Sequence, residues 1–270
     1  MVYRKRSREE YALASKKIRR HELIMELVRE RGGASVGALS EMLGVSMQTI
    51  RRDVDLLCDG KTLRRAHGRI ELAAGHVNTP FDQRAGTNLM GKRAIASVVA
   101  SQIPNGATLF MSIGSTPLTV ARALRYHKEL TVITNNLSVA MALSEELSNR
   151  IILPGGELRL PDRDFVGEEV VSFFNRYRAE FAVFGTAGVA EDGRLLEFHE
   201  AEVRASEAMR MNAQRSILVI DSSKFGRLAP AAGAMISEVS EVICDHRPDV
   251  TYDPVVEMIS DRISFVGITE

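Results

Sequence analysis

The run Ser46-Met47-Gln48-Thr49-Ile50-Arg51-Arg52-Asp53-Val54-Asp55 joins a helix start to an amphipathic pattern. A serine hydroxyl at an N-cap accepts one of the orphan N–H groups two or three residues on, so Ser46 marks the start. Ile50, Val54 and Leu57 recur at i, i+4 and i+7, which puts them on one inward face. Gln48, Arg51 and Arg52 fall on or near the other face, where they can donate to purine edges or phosphates in a major groove. A solvated helix face is the competing reading, with Asp55 one turn after Arg51 and able to pair with it.

The flanking sequence tips the balance towards a helix-turn-helix. Val36, Leu39, Met42 and Leu43 form a second short apolar stripe, and Gly44-Val45 breaks the two stripes as a tight turn does. The helical stretches expected are 18–31, Val36–Leu43 and Met47–Asp59. Downstream, Leu63 and Ile70-Glu71-Leu72 can form the arms of a hairpin with His67-Gly68 at its tip. Such a hairpin is a wing, along which Arg64, Arg65, His67 and Arg69 can follow the backbone or reach a minor groove.

Bulk properties fit this division. The 270 residues allow two domains and a substantial core. The formal net charge is zero, with 35 basic and 35 acidic residues, but it is unevenly spread. Residues 1–75 carry 16 Lys and Arg against 10 Asp and Glu, so the first part is basic and the remainder acidic. A small basic domain on an acidic body suits nucleic-acid binding fused to another task. Cys58 and Cys244 lack ligand spacing, so neither zinc nor a disulfide framework is expected, and a reducing cytoplasm fits. Residues 1–17 read as a basic flexible arm, able to touch phosphates or to be a plain tail. Residues 18–73 read as the winged helix-turn-helix, and 74–88, which lack a period and contain Pro80, as a linker.

Residues 89–270 read as an α/β domain with an open, mainly parallel sheet. Short Val-, Ile- and Phe-rich strands are expected at Thr108–Met111, Leu130–Thr134, Arg150–Leu153, Phe181–Phe184, Ser216–Ile220 and Glu241–Cys244, separated by helical stretches. Ligands bind outside the carboxyl ends of such strands. Those ends carry Ser112, Gly114, Ser115 and Thr116; then Thr134, Asn135 and Asn136; then Gly155 and Gly156; then Gly185 and Gly188; and finally Lys224. A Gly-Ser-Thr turn alone is usually only a turn. Five such endings on one edge imply a pocket for a small, oxygen-rich anion, with Lys224 supplying charge. Glu197 and Glu202 follow Gly193 and can bind sugar hydroxyls or, beside a lysine, move protons on a sugar phosphate.

The whole pattern resembles the DeoR family of transcriptional regulators, from about Arg20 to Asp245. Val45-Ser46-x-Gln48-Thr49-Ile50-Arg51-Arg52-Asp53, His67-Gly68 and Ser223-Lys224-Phe225-Gly226 carry the resemblance. Val77-Asn78-Thr79-Pro80, Thr134-Asn135-Asn136, Pro154-Gly155-Gly156-Glu157-Leu158-Arg159 and Leu195-Leu196-Glu197-Phe198 resemble its glycerol-3-phosphate branch. The resemblance implies a winged helix-turn-helix repressor joined to a non-catalytic sensor with a ribose-5-phosphate-isomerase-like fold. It also implies a double-stranded operator, a phosphorylated effector such as glycerol 3-phosphate or a related sugar phosphate, and a homo-oligomer, dimer or tetramer. Two positions depart from the family's pattern. Ser112 stands where an aspartate is usual, removing an acceptor for ligand hydroxyls and a negative charge. Arg69 stands where a second wing glycine is usual, adding charge at the wing tip. An isomerase using Lys224 and a nearby glutamate, and a metabolite-binding module that acts on proteins, are the other readings of the same residues.

Overall fold

The computed structural model describes residues 17, 19–21, 23–25, 27, 28, 33–59, 63–66, 69–72, 81–160 and 162–267. Contacts divide the chain into two units, Met1–Val77 and Asn78–Glu270.

In the first unit the described residues between 17 and 28 are helical. Helix α1 spans Val36–Leu43 and α2 spans Met47–Asp59, the bounds that the apolar stripes predict. Ser35 caps α1 by accepting from the Ala38 N–H at 3.1 Å. Gly44 ends it at φ 62°, a left-handed conformation that a glycine adopts without steric cost. Strands β1 (Leu63–Ala66) and β2 (Arg69–Leu72) pair antiparallel, Leu63 opposite Leu72. Ile24, Val28, Leu39, Ile50, Val54, Leu63 and Ile70 form the core, so both helices and both arms of the hairpin bury their apolar side together. Residues 1–16 of the expected arm, residues 74–80 of the linker and the wing tip His67-Gly68 lie outside the described residues.

The second unit opens on a short helix, α3 (Phe81–Gly86), followed by α4 (Leu89–Gln102). Residues 81–86 were expected within the linker. They are helical, and Phe81 is only 6 % exposed in the core that contains Ile95 and Leu118. Six residues are too few for a helical period to show in sequence.

Seven strands then build one sheet: β3 (Thr108–Met111), β4 (Thr131–Thr134), β5 (Arg150–Ile152), β6 (Ala179–Phe184), β9 (Ala213–Ile220), β11 (Glu241–Cys244) and β12 (Ile263–Phe265). The order is β12-β11-β9-β6-β3-β4-β5, and every pairing is parallel. Strand β3 shows why its residues are apolar throughout. Leu109 and Met111 pack on one side with Ile95 and Val120, while Phe110 packs on the other with Phe174, rings 5.5 Å apart. Both faces are covered, by α4, α5 (Ser115–Ala123) and α6 (Leu137–Leu143) in one cluster and by α7 (Glu168–Asn175) and α8 (Glu200–Met211) in another. Strands β6 and β9 begin earlier than apolar content suggests, because their first turns carry exposed Glu180, Gln214 and Arg215.

The chain runs outward from β3 through β4 to β5, then returns and runs the other way through β6, β9, β11 and β12. That reversal between β3 and β6 is the switch point at which open parallel sheets leave a crevice. A small antiparallel sheet, β10 (Ala231–Met235), β8 (Arg194–Glu197) and β7 (Gly188–Val189), follows from the end of β6. The last helix is α9 (Asp253–Met258). Among the described residues no helix is long and apolar enough to cross a membrane.

Candidate functional site

In the first unit α2 presents an exposed polar face. Ser46 Oγ accepts the Thr49 N–H at 3.2 Å and lies 2.9 Å from the Thr49 hydroxyl, which fixes the start of α2. Ile50 and Val54 are fully buried, and Gln48, Arg51 and Arg52 are exposed. Neither Arg51 nor Arg52 has an ion-pair partner among the described residues. Asp55 does not pair with Arg51; it takes Arg65 of the hairpin at 2.6 Å. Arg64 pairs with Glu71, directly opposite it across the ladder, at 2.8 Å. Arg69 donates to the Gly33 carbonyl at 2.6 Å, so one of its N–H groups is turned inward and not out along the wing. The exposed pairs are worth at most about 1 kcal/mol each, so a phosphate can compete for these arginines. Asp53, 3 % exposed, accepts from Arg20 Nε at 2.6 Å and contacts His21 Nε2 at 3.0 Å. Burial alone would raise its carboxyl, but these hydrogen bonds hold it below the usual carboxylate range. The pair ties α2 to the helical segment before it.

In the second unit a cleft opens at the switch point. The end of β3 lines it with Ile113, Gly114, Ser115, Thr116 and Pro117, the end of β6 with Gly185, Thr186 and Ala187, and the turn after β9 with Lys224. Gly114 has φ 119° and ψ 159°, which L side chains rarely adopt. It caps α5 without a side chain, and the first N–H groups of a helix have no internal acceptor. Pro117 has no N–H, so the donors at this end belong to Ser115 and Thr116. The helix dipole adds positive potential there.

Charged side chains of both signs face the same space. Lys224 is half-buried and accepts no role in any ion pair among the described residues. Burial and the charge of Arg227 push it down to about 8, against the opposing pull of Asp221. Burial and the neighbouring Glu202 raise Glu197 to about 8, so at neutral pH its carboxyl is mostly protonated. Glu197 Oε2 accepts the Ala187 N–H at 3.2 Å. Glu202 is 6 % exposed and committed on both oxygens, to Arg159 at 2.7 Å and to the His199 N–H at 3.2 Å. Arg84 of α3 and Asp162 also line the cavity and form an ion pair. Arg159 stands behind them, bidentate to Asp164 at 2.9 and 2.7 Å. Those carboxylates hold the guanidinium above its ordinary value despite burial, and burial raises Asp164.

The expected residues divide into three groups. Gly114, Ser115, Thr116, Gly185, Glu197, Glu202 and Lys224 line the cavity together. Ser112, 4 % exposed, sits one residue before the lining, its N–H on the Val183 carbonyl at 3.0 Å. Thr134, Asn135 and Asn136 are buried beneath the loop that carries Asp162. Thr134 Oγ1 donates to the Met111 carbonyl at 2.7 Å, Asn135 to that of Phe165 at 2.9 Å and Asn136 to that of Asp162 at 3.1 Å.

Gly155, Gly156 and Gly188 lie elsewhere. The first two open on a separate surface hollow with Glu168, Glu169, Ser172 and Arg176, since β5 is the outermost strand, two strands from the switch point. Gly188 lies in β7, where an added Cβ would fall 1.9 Å from the Arg227 carbonyl oxygen; its role is close packing. Arg84, Asp162 and Arg159 were not anticipated as site residues, because nothing local marks a pair 78 positions apart in sequence.

Residues 20–74 match the DeoR-like helix-turn-helix domain family, and residues 87–246 match the DeoR C terminal sensor domain family. The glycerol-3-phosphate regulon repressor of Escherichia coli (strain K12) is 43 % identical over 92 % of this chain and 97 % of its own length. The HTH-type transcriptional repressor CsqR of the same strain is 35 % identical, covering 85 % of this chain and 88 % of its own. The HTH-type transcriptional regulator GlpR of Haloferax volcanii is 34 % identical over 84 % and 89 %. Ribose 5-phosphate isomerase A from Methanocaldococcus jannaschii aligns over 52 % of this chain and 56 % of its own, with 17 % identity and a TM-score of 0.38.

Proposed function

The chain belongs to the DeoR family, and on that premise we propose that it is a transcriptional repressor released from operator DNA by a phosphorylated small metabolite, glycerol 3-phosphate or a related sugar phosphate. Ser46, Gln48, Thr49, Arg51 and Arg52 read the major groove, and Arg64, Arg65, His67 and Arg69 follow the backbone. Most of the affinity then comes from phosphate neutralisation and falls steeply with salt. A homo-oligomer reads paired half-sites about one helical turn, or a multiple of it, apart. Release requires the ligand to prefer the conformation that does not bind DNA.

The observation that carries the effector reading is the cavity at the sheet's switch point. There the N-terminus of α5, Lys224 and Arg84 converge on one space. A phosphate takes the helix N–H groups and the ammonium, while Glu197 and the hydroxyls of Ser115 and Thr116 take the ligand's hydroxyls. The test is thermal shift with glycerol 3-phosphate and a panel of triose, pentose and hexose phosphates, since a ligand of the folded state raises the melting temperature. It is paired with gel shifts on the protein's own upstream region. The active compound must both raise the melting temperature and release the DNA. A full panel without effect refutes the effector reading, and failure to shift the upstream region refutes the operator reading.

One feature favours a second reading. Glu197 and Lys224 both stand at about 8 in one cavity, the condition that suits a proton-transferring pair. Turnover of pentose or triose phosphates that Lys224→Ala abolishes would establish an isomerase; its absence leaves a sensor.

A further inference from the structure

Arg84 differs from every other group around the cavity in where it comes from. It is supplied by α3, the first helix after residues 73–80, which lead from the first unit. It pairs with the carboxylate of Asp162, on the loop between β5 and α7, and both side chains line the cavity. Asp162 is itself shared, with Arg159 Nη2 at 3.7 Å. Arg84 is therefore a planar, bidentate donor with a replaceable acceptor, and phosphate is the anion such a fork fits.

The segment that holds Arg84 is tied to the lysine turn by a second route. Lys92 of α4, 3 % exposed, donates to the Arg84 carbonyl and to the Thr87 carbonyl at 2.7 Å, holding the end of α3. Asn88 Nδ2 donates to Asp245 Oδ2 at 2.6 Å, while Asp245 Oδ1 accepts the Ser222 N–H at 2.6 Å. Ser222 begins the turn Ser222–Lys224. The α3–α4 junction is thus in contact with the cavity through Arg84 and with the lysine turn through a single buried carboxylate.

We propose that Arg84 is an effector-binding residue which leaves Asp162 for the phosphate of the ligand, and that this exchange makes α3 the element through which an occupied cavity acts on the preceding chain. The inference rests on the effector reading above. It adds a ligand-binding residue from outside the strand ends and a physical route for release. The ligand pulls α3 towards the phosphate, and Asp162 is left to Arg159.

The test is a double-mutant cycle on the full chain, with wild type, Arg84→Gln, Asp162→Asn and the double variant. Glycerol 3-phosphate and inorganic phosphate are the probes, titrated by calorimetry. Loss of a charged hydrogen-bond donor predicts binding weaker by about ten-fold or more in Arg84→Gln. Removing the competing Asp162 carboxylate from a partly exposed pair predicts binding up to about five-fold tighter in Asp162→Asn. The decisive comparison is Asp162→Asn in the Arg84→Gln background, where the gain shrinks to under about two-fold if it acts through Arg84. An equal gain in both backgrounds means Asp162 merely repels the anion, and overturns the exchange. Hydrogen exchange across residues 81–92 reads the second half. A saturating probe alters it in wild type, and unaltered exchange overturns the role of α3. If Lys224→Ala abolishes binding but Arg84→Gln binds as wild type, the cavity reading stands and this inference falls. If wild type binds neither probe, both fall.

Discussion

Raising the pH from 7 to 9 should weaken effector binding, and the size of the loss can be worked out from two side chains. The charged groups facing the cavity are Arg84, Asp162, Glu197, Glu202 and Lys224, with Arg159 and Asp164 behind them. Glu197 and Lys224 both stand at about 8, one raised and the other lowered by burial. Below 8 the lysine is charged and the glutamic acid neutral, so the pair presents a net positive charge to a phosphate. Above 8 the lysine is neutral and the glutamate charged, so it presents a negative one. Each group that must hold its proton for binding costs about a factor of ten, or about 1.4 kcal/mol, per pH unit beyond its value. At pH 9 the loss is therefore about ten-fold if Lys224 alone matters and about a hundred-fold if both do. The lower limb is set by the ligand, whose second phosphate ionisation lies at about 6. Titration calorimetry with glycerol 3-phosphate, in buffers of differing ionisation enthalpy, measures affinity and counts protons. Net proton uptake near pH 8 is expected, and Glu197→Gln should leave a single step of about ten-fold. An affinity that is flat or rising between pH 7 and 9 refutes the reasoning, because it means that neither proton is linked to the anion.

Arg52→Ala should lower affinity for the upstream region by about 1–3 kcal/mol while leaving the fold intact, since Arg52 is exposed; anisotropy titrations within two-fold of wild type would remove it from the reading face. Lys224→Ala should leave operator affinity unchanged but raise the concentration of glycerol 3-phosphate needed for release, and a wild-type response places the phosphate elsewhere. Asp53→Ala breaks a buried pair whose arginine keeps some water access, so a cost of about 2–3 kcal/mol is expected, read as faster hydrogen exchange in Met47–Asp59. Because the folded Asp53 carboxyl sits below its ordinary value, its contribution is full above the usual carboxylate range and is lost as pH falls through the folded value. Gly188→Ala places a Cβ 1.9 Å from the Arg227 carbonyl and should cost about 3 kcal/mol or more, lowering the melting temperature of the full chain; an unchanged melting temperature would mean the β7 contact yields freely.

The parts of the fold legible in sequence are those set by local pattern. Apolar stripes separated by Gly44-Val45, with Ser46 as a cap, gave α1 and α2 to the residue, because capping and burial act within a few positions. Strands Thr108–Met111 and Glu241–Cys244 were equally plain, each a short apolar run covered on both faces. Strand order was not legible, and it decides the site. Five strand ends looked alike as candidate ligand loops. Only those of β3, β6 and β9 reach the cavity, because they flank the reversal, while the Gly155-Gly156 turn leaves from an edge. The second sheet escaped notice because β7 is two residues long, too short for any alternation to register. Arg84 escaped because α3 is a single turn and a half and owes its place to Phe81 packing in the core, not to its own period.

The departure at Ser112 takes on a different meaning in this geometry. In sequence it looked like the loss of an acceptor from the ligand's immediate surroundings. Its side chain is buried one residue behind the cavity-lining Ile113 and Gly114 and is not part of the lining. A residue in that position acts on a bound anion chiefly through its field, which in a low-dielectric interior reaches further than contact does. Glu197 shows the effect a carboxylate has here: the charge of Glu202 already helps to raise it to about 8. Another buried acid at 112 would add to that repulsion, raising the same carboxyl further and opposing a dianion. With serine in place, the lining carboxylates other than Glu197 are each paired with arginine, Asp162 with Arg84 and Glu202 with Arg159. On the exchange proposed above, ligand affinity depends more on how those arginines divide themselves between carboxylate and anion than on any single hydroxyl contact.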